Sequence, residues 1–229
     1  MKALIIGDGL LGSELHKQTS WDYISRRKNG IDFCVPPTYA NYLDDYDCII
    51  NCVANTDTYS DDREGHWNVN YKGVADLVHL CNQKEKLLVH ISTDYIYSNS
   101  KQNCKETEVP VHCATWYGYT KLLADGYVQL KSNNYLLIRC THKPTPFPYD
   151  KAYVNLIGNY DYVDVIAEII VKLIEKGALG TYNVGTEVKS MHQMAKDTSE
   201  GVIPINGMCN NEMPLDVSMD VTKLTEFLS

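Results

Sequence analysis

The chain has no excess of positive charge. Its 21 lysines and arginines are outnumbered by 29 aspartates and glutamates, a net charge of −8. That disfavours a nonspecific nucleic-acid surface and leaves any small anionic ligand to a local basic pocket. Long apolar runs are also missing. The longest late one, VIAEIIVKLI, is interrupted by Glu168 and Lys172, so no membrane-spanning helix is expected. The opening ALII runs straight into glycine and is too short for a secretory signal core. There is no Cys-x-x-Cys pair among the eight cysteines, and Cys48, Cys52, Cys81 and Cys140 lie inside apolar runs. Buried free thiols in a reducing cytoplasm are therefore expected, with no metal cluster and no disulfide framework. Internal repeats and low-complexity tracts are absent. What is present, 229 residues that are 44% hydrophobic, suits one large domain or one with a small appendage.

Apolar runs at 2–6, 21–25, 47–54, 87–93 and 135–140 read as strands. Helical spacing marks 10–19, 62–83 and 116–131 between them. This alternation predicts an α/β fold, a parallel sheet with right-handed crossovers. Residues 99–114 read as a polar surface loop, and the three prolines of THKPTPFPYD (141–150) impose an extended segment. A helix at 163–176, a strand at 180–185 and a short helix at 190–197 follow, and the end reads as irregular.

MKALIIGDGLLG places Gly7, Gly9 and Gly12 between a predicted strand and a predicted helix. A tight turn that binds nothing would explain one glycine. The Gly-x-Gly-x-x-Gly spacing in this context points further, to a dinucleotide cradle: Gly7 for the turn, Gly9 for backbone approach to a pyrophosphate, Gly12 for close helix packing, and Leu10 and Leu11 at the helix N-terminus. The second strand ends in Ser25, Arg26 and Arg27, with no acidic residue to take a ribose hydroxyl. Those donors favour a 2′-phosphate, hence NADP(H), with NAD(H) the alternative and a solvated surface turn the reading without function.

Two further stretches carry chemistry. HISTDYIY puts Ser92, Thr93 and Asp94 at the end of the fourth strand, where open α/β sheets bind ligands. WYGYTK places Tyr117 and Lys121 four apart on one helix face. A neighbouring ammonium would lower the phenol's pKa into a working range for proton transfer. Taken singly, each pattern is also met by a turn former or a surface helix; their succession along the chain is the specific feature.

In that succession the chain resembles the extended short-chain dehydrogenase/reductase family. ISTDYIY followed by WYGYTKLLAD is most similar to its dTDP-4-dehydrorhamnose reductase branch, as are residues 49–70, 159–185 and 214–224. The resemblance implies a Rossmann-type doubly wound parallel sheet over 1–140, with a small, shortened substrate-binding region over 141–229 interleaved with the end of that sheet. It implies Tyr117 as the acid that protonates a ketone, Lys121 on the nicotinamide ribose, and Thr93 on the reacting oxygen. Cys52, Val53 and Ala54 would line the cofactor, and Asp94 is a substrate-pocket candidate. Three departures stand out: a first glycine gap one residue shorter than the branch's usual spacing, a compressed segment at 138–165, and CTHKPTPF in place of an aromatic motif. Lys143 and Lys151 are candidate contacts to a substrate diphosphate, or ordinary surface lysines. The expected function is NADP(H)-dependent reduction of a nucleotide-linked 4-keto-6-deoxy sugar by a cytoplasmic enzyme that binds neither nucleic acid nor membrane, with a homodimer left open. The alternatives are a nucleotide-sugar epimerase and a nonenzymatic NADP-binding regulatory subunit.

Overall fold

The computed structural model describes residues 1–98, 102–108, 115–207 and 213–229. Its centre is a six-stranded sheet, parallel throughout. The strands are β1 (Ala3–Ile6), β2 (Asp22–Ile24), β3 (Cys48–Asn51), β4 (Leu87–Ser92), β5 (Tyr135–Arg139) and, after four short strands, β10 (Gly180–Asn183). The short ones are β6 (His142–Lys143), β7 (Lys151–Tyr153), β8 (Ile157–Gly158) and β9 (Asp161–Tyr162); β11 (Lys189–Ser190) and β12 (Ile203–Ile205) follow. Sheet order is β10-β5-β4-β3-β1-β2. The chain leaves β1 toward one edge and returns to β3 on the other side, so β1 and β3 flank the switch point where such sheets open a crevice.

Side-chain alternation explains the layering. Ala3, Ile5, Cys48, Ile50, Val89 and Ile138 pack on one face with α1 (Leu10–Thr19), α6 (Val163–Glu175) and α8 (Thr222–Leu228). Leu4, Ile6, Ile49, Leu88 and Leu137 pack on the other, against α4 (Gly73–Gln83) and α5 (Trp116–Lys131). Strands buried on both faces have no polar register, which is why they read as unbroken apolar runs. The stripe Val163, Ile166, Ala167, Ile170, Leu173 and Ile174 is the apolar face that seats α6. A smaller core, including Phe147, Tyr160, Tyr162, Met191, Met194 and Val217, is built by residues 141–229.

Four expectations need correction. The strand expected at 47–54 stops at Asn51, whose side chain turns back to accept from the Val53 amide at 3.0 Å. The helix expected at 62–83 is three pieces: α3 (Arg63–His66), a π-helical turn at Trp67–Lys72, and α4. The wide turn gives buried Asn70 room to hold the Asn55 backbone at both ends, accepting from its amide at 2.8 Å and donating to its carbonyl at 3.0 Å. Within the expected surface loop at 99–114, the described residues 102–108 are tied to the core: Cys104 is buried and bridges Met219, and Glu106 accepts from the Asn183 amide. The C-terminal end is not irregular, because β12 and α8 form there.

The glycine turn follows β1. Gly7 has φ +105°, a left-handed conformation that strains any residue with a Cβ. A Cβ on Gly12 would sit 2.1 Å from the Gly7 carbonyl oxygen, so glycine there is what lets α1 rest on the turn. Gly12→Ala is expected to destabilise the fold by about 2 kcal/mol or more, by overpacking backbone against backbone. Urea unfolding measures this, and wild-type stability would contradict the close approach.

Candidate active site

A cleft of about 960 Å³ runs across the C-terminal ends of the strands. Its wall follows sheet order. Gly9, Leu10 and Leu11 come after β1; Cys52, Val53 and Ala54 after β3; Thr93 after β4; and Cys140, Thr141, His142 and Lys143 after β5. Tyr117 and Lys121 of α5 line the same space.

At the β1 end, α1 starts without a side-chain cap: Gly9 is the N-cap residue and makes no such bond. First-turn amides are therefore presented with the helix's partial positive charge, a ready anion site. A Cβ on Gly9 would meet no protein atom within 4 Å. No packing among the described residues demands glycine there, and the position is open toward the cleft.

A second cavity of about 300 Å³ shares Gly9, Cys52, Val53 and Ala54 with the cleft and is also lined by Ser25 and Arg26. The three expected phosphate contacts are not equivalent here. Arg26 is exposed at this cavity. Ser25 is buried and caps α2 (Arg26–Asn29), accepting from the Lys28 amide at 3.0 Å. Arg27 is held away by Asp8 inside the glycine turn, with Nε 3.0 Å from Oδ2 and Nη2 3.0 Å from the Asp8 carbonyl. That guanidinium keeps the Asp8 carboxyl below its ordinary pKa.

Thr93, buried at the end of β4, accepts from the Tyr95 amide at 3.2 Å. Its hydroxyl donates to Asp94 Oδ1 at 3.3 Å, and it neighbours the Tyr117 phenol. Tyr117 is half-buried, with Tyr95 edge-on at 6.0 Å between ring centroids, and Tyr95 in turn hydrogen-bonds Tyr59 at 2.8 Å.

Lys121 is 1% exposed and donates to the Ile91 carbonyl at 2.6 Å. Burial lowers its pKa to about 8, opposed first by the charge of Asp125 one turn along. Asp125 is fully buried and pairs with Arg139 at 2.9 Å. The expected effect of Lys121 on Tyr117 is not seen in this state. The ammonium is committed to the Ile91 carbonyl, and burial pushes the phenol well above its ordinary pKa, with the neighbouring Thr93 hydroxyl opposing. Asp125 and Arg139 escaped the sequence reading, although an acid at four residues from Lys121 on the same helix face is a legible signal.

Asp94 is 1% exposed. Thr141 donates to its Oδ1 at 2.5 Å, while Oδ2 has no partner among the described residues. His90 is a packed residue: it is fully buried in β4, hydrogen-bonded to Asn51, and held neutral by burial. Cys34, Cys48, Cys52, Cys81 and Cys140 are free thiols; Cys113 and Cys209 lie outside the described residues.

Residues 1–142 match the family model described as the RmlD substrate binding domain. The chain belongs to this family. Solved structures agree in fold with this RmlD-family chain. A hypothetical dTDP-4-dehydrorhamnose reductase from Sulfolobus tokodaii superimposes with a TM-score of 0.84 at 23% identity, covering 100% of this chain and 95% of that one. The dTDP-4-dehydrorhamnose reductase of Bacillus anthracis, solved with NADP, gives 0.83 at 21% identity, with coverages of 99% and 93%. Bordetella bronchiseptica WbmG, solved with NAD and UDP, gives 0.80 at 15%, with coverages of 99% and 88%. No curated protein matches the sequence significantly. The RmlD-family fold is thus the Rossmann-type doubly wound sheet that the sequence resemblance implied. Among the described residues, no helix is long and apolar enough to cross a membrane.

Burial raises the Asp94 pKa from 3.8 to about 6. The folded state then holds this proton more tightly than the unfolded state. The associated stability is full below about pH 4 and is lost as pH rises through about 6. Relative to Asp94→Asn, the wild type is expected to lose on the order of 2–3 kcal/mol between about pH 4 and pH 7. Denaturant unfolding of both proteins across that range checks this; parallel pH profiles would contradict it.

Proposed function

We propose that the chain is an NADP(H)-dependent oxidoreductase of the short-chain dehydrogenase/reductase type that reduces a nucleotide-linked 4-keto-6-deoxy sugar. One observation carries the reading: Thr93, Tyr117 and Lys121 line the same cleft as the uncapped glycine turn. The dTDP-4-dehydrorhamnose reductases among the structural neighbours support it, one of them solved with NADP. Residues 1–140 hold the cofactor, and 141–229, interleaved with the end of the sheet, hold the sugar nucleotide. Free buried thiols fit a reducing cytoplasm.

The residues fit a dinucleotide. Gly7 turns the chain, Gly9 leaves the backbone open to the cleft, and the amides of Leu10, Leu11 and Gly12 begin a helix whose dipole favours a pyrophosphate. Arg26, at the second cavity, is the first choice for a 2′-phosphate, since Arg27 is engaged by Asp8. Cys52, Val53 and Ala54 supply a low wall between the two cavities.

When bound, the nicotinamide supplies a hydride to the carbonyl carbon. The protein handles the oxygen. Thr93 and Tyr117 both line the cleft, on the side where a carbonyl oxygen would lie. The raised pKa keeps the phenol protonated, the state a donor needs, and its proton goes to the oxygen as the new C–H bond forms. Lys121 supplies positive charge beside the phenolate that this leaves and is placed to hold the nicotinamide ribose.

Tyr117→Phe is expected to lower kcat by about 10²-fold or more while NADPH binding is kept. Stopped-flow reduction of 4-keto-6-deoxy sugar nucleotides, with NADPH titrated by fluorescence, measures both; unchanged kcat would contradict the assignment. Gly9→Ala should do the reverse, weakening NADPH binding with a stability cost under about 1 kcal/mol. Undiminished NADPH binding by that variant would remove the glycine turn from the cofactor site.

A further inference from the structure

The cleft is more basic than the molecule. Against a chain net charge of −8, its described lining carries Lys121, Lys143 and Lys151 and a single acid, Asp150. Lys121 is accounted for by the Ile91 carbonyl and Asp125. Lys151 is exposed at the start of β7. Lys143 is different. Its side chain is half-buried in the wall, and it makes no hydrogen bond and no ion pair within 4 Å among the described residues. Asp94 is near enough for the two charges to act on each other, but not in contact. His142, its neighbour, is pushed to a pKa of about 4 by burial and the Lys143 charge, so at neutral pH it adds no positive charge.

Position narrows the partner. Lys143 follows β5, and the glycine turn follows β1, with β3 and β4 between them. Three strand spacings of about 4.8 Å put the two roughly 14 Å apart along the sheet edge. A pyrophosphate seated on α1 is out of reach. Thr93 and Tyr117 lie between, so Lys143 stands on the substrate side of the reacting group. A half-buried ammonium with Asp94 nearby but not in contact gains when an anion arrives with the ligand.

We propose that Lys143 is a specificity-determining residue that binds an anionic oxygen of the substrate itself, either a carboxylate on the sugar or a phosphate oxygen of its nucleoside diphosphate. This rests on the sugar-nucleotide reading above and makes negative charge beyond the reacting carbonyl a requirement of recognition. Sources differ in what else they need. A carboxylate would come with an acid sugar, in place of the 6-deoxy sugar of that reading, whereas the diphosphate comes with every sugar nucleotide.

Calorimetric titration of the NADP-loaded protein separates them. The ligands are a nucleoside diphosphate, a neutral nucleotide hexose and a nucleotide hexuronate, each against wild type, Lys143→Met and Lys143→Arg. Lys143→Met is expected to weaken an anionic ligand by about tenfold or more, and Lys143→Arg to keep most of the affinity. A loss confined to the hexuronate identifies the sugar carboxylate; an equal loss for all three identifies the phosphate. Unchanged affinity for every ligand, or a wild type that binds none of them, overturns the proposal. NADP binding serves as the control for folding and must not change between variants. Because the readout is binding, a wild type that takes these ligands yet turns over no keto sugar would refute the reductase reading and leave the Lys143 assignment standing.

Discussion

The ammonium of Lys121 lies inside the protein, and its place there organises the site. A buried charge of this kind costs several kcal/mol unless it is hydrogen-bonded and compensated. The Ile91 carbonyl, 2.6 Å away, supplies the contact. Asp125, one turn along α5, supplies compensating charge and is itself neutralised by Arg139 of β5. Arg139 is fixed in turn by the Tyr97 hydroxyl at 2.6 Å. The result is a chain of charges from β5 through α5 to β4. It sets the rotation of α5 and therefore the direction of Tyr117, one turn before Lys121.

Much of the cleft could be read in advance because its parts are local. A glycine spacing after an apolar run, a Ser-Thr strand end and a Tyr-x-x-x-Lys helix are each short patterns with a fixed geometry. The strands at 2–6, 87–93 and 135–140 and the helices at 10–19 and 116–131 fell within a residue or so of where periodicity put them. What was not legible depends on contacts between distant segments. The π-helical turn exists because Asn70 reaches back fifteen residues to Asn55. Residues 102–108 join the core through partners more than seventy residues away, such as Asn183. Arg27 reads as a phosphate ligand in isolation, yet Asp8 claims it across the turn. The phenol's pKa went the other way for a similar reason: helix spacing brings Tyr117 and Lys121 to one face, but the backbone of β4 decides where the ammonium goes.

The C-terminal part shows how a short segment can still finish a pocket. Residues 141–229 return α6 and β10 to the main sheet and use the remainder to pack a small core around Tyr162 and Met194. Its first strand, β6, pairs with β9 and carries Thr141's neighbours into the cleft wall. Polar and charged groups, Asp94, Thr141, His142 and Lys143, thus occupy the region where the sequence lacks the branch's aromatic motif.

The central claim is that the glycine turn, Tyr117 and Lys121 face one bound dinucleotide. A crystal structure of the protein with NADPH tests it most directly. The account predicts pyrophosphate oxygens on the first amides of α1 and the nicotinamide ring beside Thr93, with the Tyr117 hydroxyl turned toward it. Phosphates seated elsewhere, or a nicotinamide out of reach of the Tyr117 hydroxyl, would contradict it.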